Sequence, residues 1–211
     1  MKKHIIRYAS FAFAILGMVS CSEEQETALR PQDAKSTPMT FLVSHPGQAT
    51  RATETSFEQN DRIGLYVADA KAQLEIGGNL VNNEALTYDG SKWAAARTLY
   101  WDKGTYTAYA YYPYLEDVSS ITDQPFSVVL DQSTAKSKEA MGGYEASDLL
   151  FASSKNISAS ASPIPLNFKH IMSKLKIRLI KGEDFEGDMP TTGQVTIHNT
   201  VPTATIDLQA G

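Results

Sequence analysis

Apolar and polar positions alternate in short runs along most of this chain, and the alternation has a period of two rather than 3.6. In Lys174-Leu175-Lys176-Ile177-Arg178-Leu179, three basic residues interleave with three aliphatic ones, which predicts a strand with one wet and one dry face. Met39-Thr40-Phe41-Leu42-Val43 repeats the pattern, with Met39, Phe41 and Val43 on one side. Further strands are predicted at 63–67, 97–101, 105–112, 126–130, 148–152, 194–198 and 204–208. A hairpin is expected where Leu86-Thr87-Tyr88 and Lys92-Trp93-Ala94 flank Asp89-Gly90-Ser91, because the glycine can take the positive φ of a tight turn. Only 132–146 has modest helical character. Many short strands split by turn residues imply an all-β fold, an antiparallel β-sandwich with little helix.

Residues 1–38 follow other rules. Lys2, Lys3 and Arg7 precede a mostly apolar run from Tyr8 to Val19, too short to span a bilayer, which is the build of a secretory leader. The run ends at Ser20, and Cys21, the chain's only cysteine, follows. A cysteine at that boundary is where bacterial lipoproteins are diacylated and cut. Met18 stands where such signals usually carry leucine, and its unbranched apolar side chain suits the same pocket. The plainer reading is an ordinary leader ending near a free thiol, but an exposed unpaired cysteine in an exported chain is an oxidation liability. Ser22-Glu23-Glu24 resembles an acidic surface-export signal. These features predict a signal peptide over 1–20, a flexible polar tether over 21–38, a sandwich domain over 39–211, and a surface-exposed lipoprotein held in the outer membrane through Cys21.

Charge and motif content narrow the function classes. Residues 1–20 hold three basic and no acidic residues, so their removal shifts the formal charge from −5 to −8. An acidic chain without a basic, aromatic-interleaved patch is not expected to bind nucleic acid. His45, His170 and His198 lie far apart without metal-ligand spacing, and no metal or other cofactor is expected. His170 is expected to pack or hydrogen-bond. Asp184, Glu186 and Asp188 alternate like part of a calcium loop, yet Val195 stands where the bidentate glutamate is needed. There is no nucleophile elbow, and Gly77-Gly78 and Gly142-Gly143 lack the lysine of a phosphate loop, so no catalytic residue is assigned. In 105–112 one face carries Tyr106, Ala108, Ala110 and Tyr112 and the other Thr107, Tyr109 and Tyr111. Core interdigitation explains this pattern; the alternative is a sugar-stacking platform in which Trp93, Tyr109 or Tyr111 lies exposed on a glycan-binding lipoprotein.

Five segments, in order, resemble the fimbrillin or type V pilin family, in its Mfa-like branch. They are Phe57–Tyr66, Tyr88–Trp93, Tyr109–Pro113, Ser147–Ala152 and Phe168–Leu175. The family usually has Gly-Asp where this chain has Asn60-Asp61. The resemblance implies a transthyretin-like sandwich with Greek-key-type connections, exported as a lipoprotein and built into surface fimbriae that act in adhesion. It implies that an arginine-specific protease removes the lipid and the first strand, and that a strand from another fimbrial subunit fills the groove. Arg30 is followed by Pro31, a poor junction for such a protease. Arg51-Ala52 lies in a polar loop just after Met39–Val43, making Arg51 the expected cut site and Met39, Phe41 and Val43 the displaced plug; otherwise Arg51 is a solvated loop arginine. Family pilins usually carry two sandwich domains with a C-terminal strand used for polymerisation, and this chain, ending at Gly211, is expected to hold only the first, which speaks against a shaft role and leaves an anchor or accessory role open.

Overall fold

The computed structural model describes residues 37–47, 56–137 and 140–211. Among these residues ten strands form in chain order: β1 Phe41–Ser44, β2 Arg62–Asp69, β3 Val81–Tyr88, β4 Trp93–Ala95, β5 Thr105–Tyr112, β6 Gln124–Ser127, β7 Leu150–Ser158, β8 Ile164–Asn167, β9 Lys169–His170 and β10 Thr203–Ile206. Among the described residues the only helical turn is the short 3-10 turn Glu145–Ser147. The fold is the expected all-β antiparallel sandwich. A six-stranded sheet in the order β4-β3-β2-β5-β7-β9 is its centre, and two-stranded pairs β1-β8 and β6-β10 complete it. Every pairing is antiparallel except β1 with β8.

The central sheet is dry on both faces, because its middle strands are apolar at consecutive positions. From β2, Ile63, Leu65 and Val67 join one core cluster while Tyr66 and Ala68 join the other. From β5, Tyr106, Ala108, Ala110 and Tyr112 enter the first, and Tyr109 and Tyr111 the second. The first cluster is closed by Met39, Leu99, Trp101, Ile164, Leu166 and Phe168. Phe126, Ile206 and Leu208 close the second. Gly64 is required where it stands: a Cβ there would run into the Tyr111 ring. Tyr111 is further fixed by donating its hydroxyl to Asn83 Oδ1 at 2.6 Å. The Tyr66 hydroxyl is buried with no hydrogen-bond partner among the described residues, and burial raises its pKa to about 12.

Four strand expectations are corrected. Residues 97–101 form no strand, only an isolated bridge of Tyr100 to Pro38. Residues 174–179 and 194–198 alternate as strands should, yet neither forms one, and Leu175, Ile177, Leu179, Val195 and Ile197 are exposed. Period two says which face a strand would bury and nothing about whether a neighbour is there to receive it. β6 also ends at Ser127, leaving Val129 and Leu130 exposed. Conversely, β8 was not expected, because Pro163 and Pro165 punctuate it. Ile164 donates its N–H to Thr40 O, so the position of Pro165, one residue on, faces away from β1 and needs no donor there.

Candidate functional site

β1, together with residues 37–40 that lead into it, is a short stretch of backbone held from both sides. Toward one neighbour, the Met39 N–H donates to Leu99 O at 2.8 Å and the Trp101 N–H to Thr37 O at 3.0 Å. Toward the other, the Ile164 N–H donates to Thr40 O at 2.8 Å and the Phe168 N–H to Ser44 O at 3.1 Å. Ser44 Oγ adds a bond to Asn167 Oδ1 at 2.6 Å. Met39 is buried, Phe41 and Val43 pack against the same core, and Leu42 points outward at 64% exposure. Met39, Phe41 and Val43 therefore share the inward side of a short segment crossing the first core.

Past its C-terminal end stands an aromatic and ionic cluster. Phe57 is the hub: its ring meets His45 at 4.8 Å, Trp93 at 5.0 Å, and Tyr112 and Phe168 each at 5.6 Å, all edge-to-face. The Trp93 ring stacks on Tyr88 at 5.2 Å. Asp61 is buried and fully engaged, with Oδ2 accepting the Glu58 N–H at 2.7 Å and Oδ1 accepting from Lys136 Nζ at 2.6 Å. Lys136 also reaches Glu58 at 3.1 Å. Burial pulls the lysine pKa down, but its bonds to Asp61 and Glu58 outweigh that and hold it above the usual value. His170 Nδ1 lies 2.8 Å from Asp148 Oδ1, the packing and hydrogen-bonding place expected for it. Burial in this company, with carboxylates all around, pushes the Tyr112 hydroxyl pKa well up. A cavity of about 40 Å³ lies between His45, Phe57, Asp61, Tyr112, Lys136 and Asp148.

Asn60 enters the cluster's first turn with φ +75°, the left-handed region that glycine adopts freely and asparagine tolerates best among the others. That accounts for asparagine where the family usually has glycine. All five segments that carry the family resemblance send a residue here: Phe57 and Asp61, Trp93, Tyr112, Asp148, and Phe168 with His170. Sequence reading missed Glu58, Lys136 and Asp148 as one cluster, because Lys136 and Asp61 are separated by 75 positions and no local spacing links them.

Cys21, Arg51 and Ala52 lie outside the described residues. The exposed-ring expectation is corrected: Trp93, Tyr109 and Tyr111 are 8%, 7% and 2% exposed, since the central sheet is covered on both faces. They offer no flat platform to a sugar. Among the described residues, no three or more His, Cys, Asp or Glu gather as metal ligands would.

An antiparallel sandwich whose polar cluster is spent on holding its own strands and turns has the build of a structural protein. The chain belongs to the fimbrillin-like family, whose model matches residues 50–211. It is similar to a candidate fimbrium tip subunit, Fim1C, of Bacteroides ovatus, with 26% identity over 198 residues, covering 85% of this chain and 36% of that protein. This chain thus spans about a third of that relative's length. Among solved structures it resembles a fimbrial protein from Bacteroides ovatus (21% identity, TM-score 0.45, 64% of this chain and 28% of that one). It also resembles a protein from the same species described as a candidate for cell adhesion (20% identity, TM-score 0.45, 66% of this chain and 53% of that one).

Proposed function

We propose that this protein is a structural component of surface fimbriae, a subunit or an anchor, that reaches the outer membrane as a lipoprotein and assembles by strand exchange. Under this reading residues 1–20 are the leader, 21–38 the tether and 39–211 the sandwich domain, with lipid on Cys21. An arginine-specific protease cuts between Arg51 and Ala52, and the released segment takes β1 with it. The observation that carries the reading is the seat of β1. The strand is four residues long and pairs with β8, residues 37–39 just before it bond to Leu99 and Trp101 on the other side, and the inward side chains of Met39, Phe41 and Val43 close a core built by the rest of the chain. Its departure would leave the backbone of Leu99–Trp101 and β8 unpaired beside Ile164, Leu166 and Trp101, which are at most 1% exposed while it is present. Unpaired edges beside apolar pockets are what an added strand satisfies.

Mass spectrometry of the surface-exposed protein tests this. A mature N-terminus at Ala52 marks a processed subunit, and an acylated Cys21 marks an anchor. A soluble periplasmic species with neither would overturn both forms of the proposal.

A further inference from the structure

We propose that His45 and His170 form a proton-operated clasp on the C-terminal end of β1, so that mild acid loosens this strand while the central sheet stays closed. The two rings lie edge to face at 5.9 Å, with His45 carried by the segment that follows β1 and His170 by β9. His45 sits against Phe57 and accepts the Gly47 N–H on Nδ1 at 3.3 Å, a bond that only an unprotonated Nδ1 can make.

A proton on His45 finds poor company. The charged groups facing it are Glu58, Asp61, Lys136, Glu145, Asp148 and His170. Asp61 is already bound by Lys136 at 2.6 Å and by the Glu58 N–H, Glu58 is bound by Lys136, and Asp148 is bound by His170 at 2.8 Å. Glu145 lines the same cavity. Burial and then the neighbouring His170 hold the His45 pKa below its ordinary 6.5, and Asp148 and Asp61 only partly oppose them. The sign follows from linkage. Above about pH 6.5 docked and undocked His45 are both neutral and the docking is at full strength. As pH falls below that value the undocked ring takes a proton that the docked ring resists, so undocking is favoured until the docked ring also protonates.

The inference rests on β1 being removable only for its biological use; the clasp itself is a property of the uncut chain and is tested there. Hydrogen exchange of the full chain, corrected for intrinsic rates, is followed between about pH 7.5 and 5.5, where histidine is the side chain that titrates. Peptides covering β1 and β8 are expected to lose at least about threefold in protection while those covering β2 and β5 hold theirs. His45→Gln, and independently His45→Phe, which keeps a ring against Phe57, should abolish the loss. Equal protection across the range, or the same loss in both variants, overturns the clasp. Should neither variant fold, the ring resonances of the unaltered protein suffice: a His45 midpoint below the free-histidine value supports it, and one at or above that value overturns it. Uptake of an added strand is scored separately after cleavage. Uptake with pH-independent protection removes the clasp alone, whereas a titrating clasp without uptake removes the strand-exchange reading alone.

Discussion

Asp61 shows how much one side chain can carry. Its carboxylate terminates a turn by accepting the Glu58 N–H, neutralises a largely buried lysine, and sits beside the backbone bond from Tyr88 N to Asp61 O at 2.9 Å. Removing one partner of a buried pair leaves the other uncompensated, which costs more than the pair itself is worth. Asp61→Asn should therefore destabilise the fold by about 2 kcal/mol, allowing for the partial exposure of Lys136, and lower the urea midpoint by about 1 M at unchanged slope. A change below about 0.5 kcal/mol would mean that the pair is a surface ornament. The turn at Asn60-Asp61 is the kind that asparagine and aspartate favour, since both tolerate turn conformations and bond to nearby backbone. The lysine that completes it was not legible in the sequence, because pairing between charges 75 positions apart leaves no mark on local spacing.

At the scale of elements, alternation was read correctly where a neighbour exists and misread where none does. Met39, Phe41 and Val43 turn inward as their spacing predicts, and Leu42 between them turns out. The same pattern in residues 174–179 lies exposed. β8 was hidden by its prolines, and so was the parallel register that sets Phe41 opposite Ile164 and Val43 opposite Leu166. The two sides of β1 should respond oppositely to change. Phe41→Ala removes packing from the first core and should cost about 2 kcal/mol, whereas Leu42→Lys should stay within about 0.5 kcal/mol. Paired denaturation curves of the two variants check this, and equal losses would contradict the described orientation of the strand.

For the whole molecule, strand number, turn chemistry and scant helix made the sandwich legible. The burial of both faces of its central sheet was harder to read. β2 runs apolar through Ile63, Leu65, Tyr66, Val67 and Ala68, and such a run fits a fully covered strand as well as a short buried helix. Covering both faces turns the aromatic row of β5 into core, and with it goes the reason to read those rings as a binding platform. The proposed function turns instead on β1, with the proposed clasp at its C-terminal end and Arg51 seven positions after Ser44 in the sequence. The most direct test is strand replacement. The purified chain is cut after Arg51 and offered an isotope-labelled peptide of residues 37–47, and the complex is weighed intact. The strand-exchange reading expects the released segment to leave and the labelled peptide to take its place on a sandwich that keeps its β-sheet signal. A released segment that never leaves, or one whose loss unfolds the remainder without uptake, would contradict it.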